Sequence, residues 1–292
     1  MTGKNAIQRS SASIAVPIAA LTAAMACFQL GAVLAKGLFP VVGAAGAAAM
    51  RLAIASAMLF AVWRPWRLRL TLREAGTIIG YGVAMGWMNL FFYLSLRSIP
   101  LGIAMALEFT GPLGVALFAS RRPSDFLWVL MAVLGLLVLL PLGFGSKPLP
   151  PVGIACALAA GACWALYIIF GRKAGAAHGG QTTALGTLIG AVFIVPIGLA
   201  HSGAQLFSLG VLPAAVGVAL LSSALPYSLE MFAMPRVPAR TFGVLMSLDP
   251  ALGALSGLIF LGESLSLIQW AAIVSIMAAS AGSAATSELM PD

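Results

Sequence analysis

Apolar runs of about twenty residues, parted by short polar or basic interruptions, recur ten times along the chain. They lie at about 14–35, 41–63, 77–97, 101–119, 125–143, 152–171, 181–200, 211–233, 239–260 and 265–285. A helix needs ~20 residues to cross ~30 Å of hydrocarbon, so the pattern predicts an all-α integral membrane protein with ten transmembrane helices. The longest interruption is about a dozen residues, which leaves no room for a separate soluble domain. Lys4 and Arg9 precede the first run, but that run is long for a secretion signal and a second span follows directly. It is read as a retained helix.

Composition strengthens this picture. Only 8% of the 292 residues are charged and 61% are hydrophobic, with a mean hydropathy of +1.04. Soluble domains carry about 25% charged residues, so a chain this poor in charge cannot coat itself against water, and a lipid bilayer is its solvent. The net charge of +8 does not point to nucleic acid, because the basic residues cluster between the apolar runs. Twelve fall on one side: Lys4, Arg9, Arg64, Arg67, Arg69, Arg73, Arg121, Arg122, Arg172, Lys173, Arg236 and Arg240. Lys36, Arg97 and Lys147 fall on the other. Positively charged loops stay in the cytoplasm, which predicts a multi-pass protein of a bacterial-type inner membrane with both termini cytoplasmic. Cys27, Cys156 and Cys163 all lie in apolar runs and read as small packing residues with no metal-ligand spacing.

The chain also repeats itself. Ala26-Cys27-Phe28 with Leu30 matches Ala162-Cys163-Trp164 with Leu166 at an offset of 136. Ile99-Pro100 and Pro112 match Val237-Pro238 and Pro250 at an offset of 138. Two five-helix repeats follow, 14–143 and 152–285. Because five is odd, the second enters the membrane inverted, as in transporters whose central cavity lies between the halves.

Ionisable side chains inside a span are costly and face a cavity or a partner. Glu108 falls ~12 Å into its helix, and Asp249 ~15 Å into its own from the opposite face, at 1.5 Å per residue. Each precedes a proline, Pro112 or Pro250, that the pattern places inside a helix, where it frees a backbone carbonyl. Two readings stand for each carboxyl: binding a substrate ammonium or a coupling proton, or a structural hydrogen bond to a neighbouring helix. Gln29, Asn89, Tyr81, Phe92, Tyr93, Trp164, Tyr167 and Tyr227 form polar-aromatic stripes at helical spacing. Singly each reads as packing; together they read as the lining of a cavity. Arg51, about ten residues into the second span, reads first as a member of a structural ion pair, otherwise as a substrate-carboxylate clamp or a snorkelling side chain. Glu230 lies within reach of Arg236 or Arg240 and reads as a gating or topology-fixing charge. Glu263, in a short external turn, reads as a solvated residue.

Absences narrow the class. No phosphate-cradling glycine loop exists, so no ATPase subunit is implied. His178 and His201 fall in loops, so no catalytic or zinc site assembles in the membrane, and no cofactor is called for.

The chain resembles the ten-helix EamA-type members of the drug/metabolite transporter superfamily over nearly its whole length. The resemblance rests on the two halves, on Arg51, and on Val237-Pro238, Pro250 and Phe260-Leu261-Gly262-Glu263. Within that superfamily it is most similar to bacterial amino-acid exporters of the threonine/homoserine type. The runs that carry this are Pro100 to Ala104, Leu107 to Leu113, Ser120-Arg121-Arg122-Pro123, Leu225 to Met231 and Arg240 to Gly243. Ser120-Arg121-Arg122-Pro123 stands where the first half would carry the usual Gly-Glu turn. The resemblance implies efflux of amino acids. The leading reading is an alternating-access exporter of neutral amino acids, in which Glu108 binds the ammonium group or a proton and Asn89, Gln29 and freed backbone groups hold the carboxylate. Methionine and aromatic amino acids remain within its range. A different small metabolite or a cationic drug is the alternative cargo. A membrane-embedded enzyme or lipid-handling scaffold would need a histidine partner that the carboxylates lack.

Overall fold

The computed structural model describes residues 2–119, 123–139, 149–233, 236–237 and 239–287. Within them, side chains are described outside 2–14, 116–126, 129, 139, 176–177, 231, 239–241, 243 and 283–287. The described residues form helices and connecting turns, with no strand. In chain order these are α1 (Thr2–Trp63), α2 (Leu72–Ser95), α3 (Leu101–Glu108), α4 (Thr110–Ala119), α5 (Pro123–Leu139), α6 (Pro151–His178), α7 (Gly180–Ser202), α8 (Leu212–Ala219), α9 (Leu225–Ala233), α10 (Ala239–Met246), α11 (Asp249–Leu261) and α12 (Leu267–Ser287). Among the described residues, six stretches are long and apolar enough to cross a membrane: Ala15–Trp63, Leu72–Ser95, Pro151–Gly175, Gly180–Phe207, Leu212–Glu230 and Val244–Leu261. Leu101–Val115 and Leu267–Gly282 are shorter apolar helices.

The elements depart from the predicted spans at physically legible points. A loop expected near 36–40 is absent; the helix runs through Pro40 and breaks at Gly43, at φ 65° and ψ 171°. That positive φ is open to glycine at little cost, and it makes two arms of α1. The loop expected over 64–76 ends early, because Thr71 and Glu74 form a capping box that starts α2 at Leu72. The predicted fourth span holds α3 and α4, parted at Phe109, and the ninth holds α10 and α11, parted at Ser247–Leu248. The eighth holds α8 and α9 joined by a π-helical turn, Leu220–Ala224. His178 and His201, expected in loops, lie in the last turns of α6 and α7.

Packing relies on small residues, as lipid-embedded helices require. The second arm of α1 runs along α7, where Gly198 faces Ala45 and Ala49. Helix α2 meets α7 at Gly86 and Gly190, so closely that a methyl on Gly86 would sit 2.9 Å from the Gly190 Cα. Helix α2 also packs on α6, α3 on α11, and α5 on α12, while α1 runs against α8, the π turn and α9. Large apolar side chains such as Val192, Ile259 and Val274 point outward at 63%, 68% and 57% exposure. Lipid, not water, covers such a surface.

Candidate functional site

Among the described residues, three charged side chains are buried together in the interior: Arg51 at 5% exposure, Glu108 at 6% and Asp249 at 3%. Each charge placed at the centre of a membrane helix costs about 3 kcal/mol, so they persist only where polar groups receive them. Arg51 and Asp249 both lie within electrostatic range of the Glu108 carboxyl.

The carboxylates sit at the helix breaks. Glu108 is the last residue of α3 and Asp249 the first of α11. The prolines expected inside helices are instead in the first turns of α4 and α11, where a missing N–H is tolerated. The freed carbonyl is still real at the first break. Pro112 cannot donate to the Glu108 carbonyl, and the α6 backbone lies so close that a methyl on Gly161 would stand 2.6 Å from that oxygen. Among the described residues no hydrogen bond holds the Glu108 carboxyl. Trp164 covers this break by an edge-on contact with Phe109, ring centroids 5.6 Å apart.

Gln29 of α1 reaches Asp249. Its Nε2 donates to the Asp249 backbone carbonyl and to Oδ1, each at 3.4 Å, while its own Oε1 is buried without a partner. Among the described residues Arg51 forms no ion pair, the fate expected of it first. Its Nε donates to Ser223 Oγ at 2.9 Å, a terminal nitrogen donates to the Ser222 carbonyl, and its guanidinium lies 5.4 Å from the Tyr93 ring centroid. The π turn explains this geometry, since its i→i+5 bonding displaces carbonyls from the α-helical ladder. The turn itself leaves no sequence signal.

The expected lining residues fall into two groups around these charges. Asn89 donates to the Met85 carbonyl at 2.8 Å and neighbours the Tyr227 hydroxyl. Tyr93 is fully buried beside Phe92 and Phe39, with its hydroxyl unpartnered. Towards the Arg64 end, Tyr81 stacks on Tyr167 at 4.7 Å, and Tyr227 meets Phe28 edge-on at 5.5 Å. Glu230 lies within electrostatic range of Tyr81, Tyr167 and Tyr227. Its expected partner Arg236 turns away, donating to the Phe232 carbonyl at 2.7 Å and stacking on that ring. The side chain of Arg240 lies outside the described residues.

Glu263 is the clearest correction. Read as solvated, it is only 15% exposed and pairs with Lys36 at 2.5 Å, while its Oε2 accepts from the Leu101 backbone N–H at 2.7 Å. The signal was present: by the predicted topology Glu263 is the one acid in the external connections, facing one of only three bases there. Among the described residues no group of three histidine, cysteine or acidic side chains could hold a metal ion.

The pattern of known proteins agrees with this architecture. The model of the EamA-like transporter family matches residues 151–284. Threonine/homoserine exporter RhtA of Escherichia coli (strain K12) is 56% identical over 271 residues, which cover 93% of this chain and 92% of that protein. Its counterpart in Salmonella typhimurium (strain LT2) is 55% identical over the same shares. A protein of known crystal structure, 20% identical, superposes with a TM-score of 0.59 over 94% of this chain and 97% of its own, and shares the fold.

Proposed function

We propose, from the premise that this chain belongs to the EamA-like transporter family and to its branch of RhtA-type exporters, that it exports neutral amino acids of the threonine and homoserine kind by alternating access. One observation carries the reading: carboxylates from two matched helix breaks converge, with Gln29 and Arg51, on a buried polar interior.

The two arms of α1, the joined pairs α3–α4 and α10–α11, and the joined run α8–α9 make ten membrane passes in two inverted sets of five. Internal matching supports this. The break at Phe109 and the break at Ser247 differ by 138 residues, the offset of the proline repeat, and the positive-φ glycines Gly43 and Gly179 differ by 136. The packing also pairs up under the repeat: α2 against α6 answers α8–α9 against the first arm of α1, and α4 against α6 answers α11 against α1. The basic end, with Arg64, Arg172 and Lys173, faces the cytoplasm of a bacterial inner membrane, and both termini lie there.

At the centre, Glu108 takes the substrate ammonium group or a proton, its carboxyl lying near Arg51 and Asp249 with no hydrogen-bonding partner among the described residues. Asn89 and the free Oε1 side of Gln29 orient the polar end of the amino acid. Tyr81, Phe92, Tyr93, Trp164, Tyr167 and Tyr227 wall the path, and Glu230 and Asp249 set its charge. Arg51 fixes α1 to the π turn. No step of this cycle calls for a cofactor.

Purified protein in liposomes loaded with labelled threonine, homoserine, methionine or phenylalanine tests the reading. Threonine and homoserine are expected to exchange across the membrane; exchange of a cationic dye without any amino acid would transfer the site to the alternative cargo.

A further inference from the structure

We propose that Glu263 is the outer latch of the transport cycle, holding α1 and α3 of the first repeat to the second repeat at the external end and releasing them when substrate leaves. The inference rests on the transporter reading and on the topology given above.

The latch is a three-way junction. Glu263 Oε1 meets Lys36 Nζ, and Oε2 caps the Leu101 N–H. That N–H is one of the orphan donors of a helix start. Pro100, at the cap position, has no side-chain acceptor for it, so the second repeat supplies what the first lacks. Gly262, at φ 65°, ends α11 and turns the chain, and the Glu263 carboxylate folds back over Gly257, where a methyl group would collide with it. Both partners are mostly buried, at 21% and 15% exposure, so their attraction is screened less than that of a surface pair.

Position gives this junction a function. Helix α3 is only eight residues long, with the latch at its first residue and Glu108 at its last. Between them Met105, fully helical and 8% exposed, packs beside Gly253 and the Gln29 side chain. The latch, this plug and the binding carboxyl are thus carried by one short rod, and releasing one end frees the other to move. The surrounding core is continuous at this end. It joins Ala32 to Leu52 of α1, Leu90 to Leu96 of α2, α3 and Ile273 of α12. Towards the basic end the described residues form smaller clusters. On this packing the external end is the closed side, and Glu263 is its polar fastening.

The test uses full-length protein with Cys27, Cys156 and Cys163 replaced by serine and Met105→Cys as a reporter, in right-side-out vesicles with a membrane-impermeant maleimide outside. Glu263→Gln keeps an acceptor for Leu101 but drops the charge facing Lys36. It is expected to raise the labelling rate roughly fivefold, the population shift that losing one such pair gives a two-state equilibrium. The double exchange Lys36→Glu with Glu263→Lys is expected to return labelling towards the parent rate. In a second arm, Lys36→Cys with Glu263→Cys is bridged by a bifunctional methanethiosulfonate; threonine exchange is expected to stop and to return on reduction. Unchanged labelling in Glu263→Gln, or full exchange by bridged protein, overturns the latch. Labelling requires no substrate, so failure of the parent protein to move any amino acid sinks the function without touching the latch result.

Discussion

The Gln29 amide nitrogen stands 3.4 Å from both the backbone carbonyl and the Oδ1 of Asp249, tying α1 to the first turn of α11 across 220 residues of sequence. This is a link between the two halves of the chain at the level of the buried charges. Its two ends differ in kind, because the donor is spent while the Gln29 Oε1 is left open.

Replacing Gln29 by leucine removes the donor and leaves the Asp249 carboxyl unpartnered. A buried acceptor stripped of its donor costs about 1–3 kcal/mol, so the melting temperature in detergent falls. Threonine exchange is expected to drop at least tenfold, each ~1.4 kcal/mol of lost binding being a factor of ten. Gln29→Glu, which adds a third carboxyl to the cluster, is expected to lower exchange further. Exchange at the parent rate in Gln29→Leu would remove this residue from the site.

Arg51 grips the π turn through a fork, with Ser223 Oγ and the Ser222 carbonyl as its two acceptors. A lysine offers one compact ammonium and cannot span both. Arg51→Lys is expected to destabilise by about 1 kcal/mol and Arg51→Met by about 1–3 kcal/mol, as polar groups are left unsatisfied. Thermal unfolding of the three proteins should rank them parent, Lys, Met. If Met equals the parent, the clamp carries no stability.

Much of this was legible in the sequence. Glu108, Asp249 and Arg51 stand out because a charge inside an apolar run is rare, and depth arithmetic puts the two carboxyls near one level of the membrane; that the three share one interior does not follow from depth. Their partners were not legible. Arg51 looked for an acid because salt bridges are the usual fate of a buried guanidinium, whereas a π turn, invisible in composition, offered oxygens instead. Glu263 looked solvated because a short turn reads as exposed; only the predicted topology, which leaves it the one acid among three external bases, hinted at Lys36, 227 residues away. The breaks at Phe109 and Ser247 were masked by unbroken hydrophobicity, since periodicity reports which face is apolar and not where the ladder stops.

Gly161 lies against the carbonyl of Glu108. A methyl at this position has only backbone to displace, so Gly161→Ala pushes α6 away from the first break. Overpacking of this kind costs about 1–3 kcal/mol. Exchange is expected to fall more than stability does, because the shift is centred on the binding carboxyl. Equal threonine exchange by Gly161→Ala and parent would show that the break tolerates movement.

Glu108→Gln tests the binding role directly. Substrate that binds only folded protein stabilises it by about 2.7 kcal/mol at a hundredfold excess over Kd. Threonine is expected to raise the melting temperature of the parent in a concentration-dependent way and to leave that of Glu108→Gln unmoved. A full threonine shift in the variant would assign the ammonium contact elsewhere.

The fold of α1 at Gly43 has a consequence for how the protein is made. From Ala15 to Trp63 the nascent chain presents a single hydrophobic stretch of 49 residues, with no hydrophilic segment to be left behind on the far face. On the proposed ten-pass topology its two arms enter the lipid as one hairpin, and they can double back only once that glycine has cleared the ribosome. The basic loops choose the inner face, and a residue with no side chain to read sets where the first arm ends and the second begins.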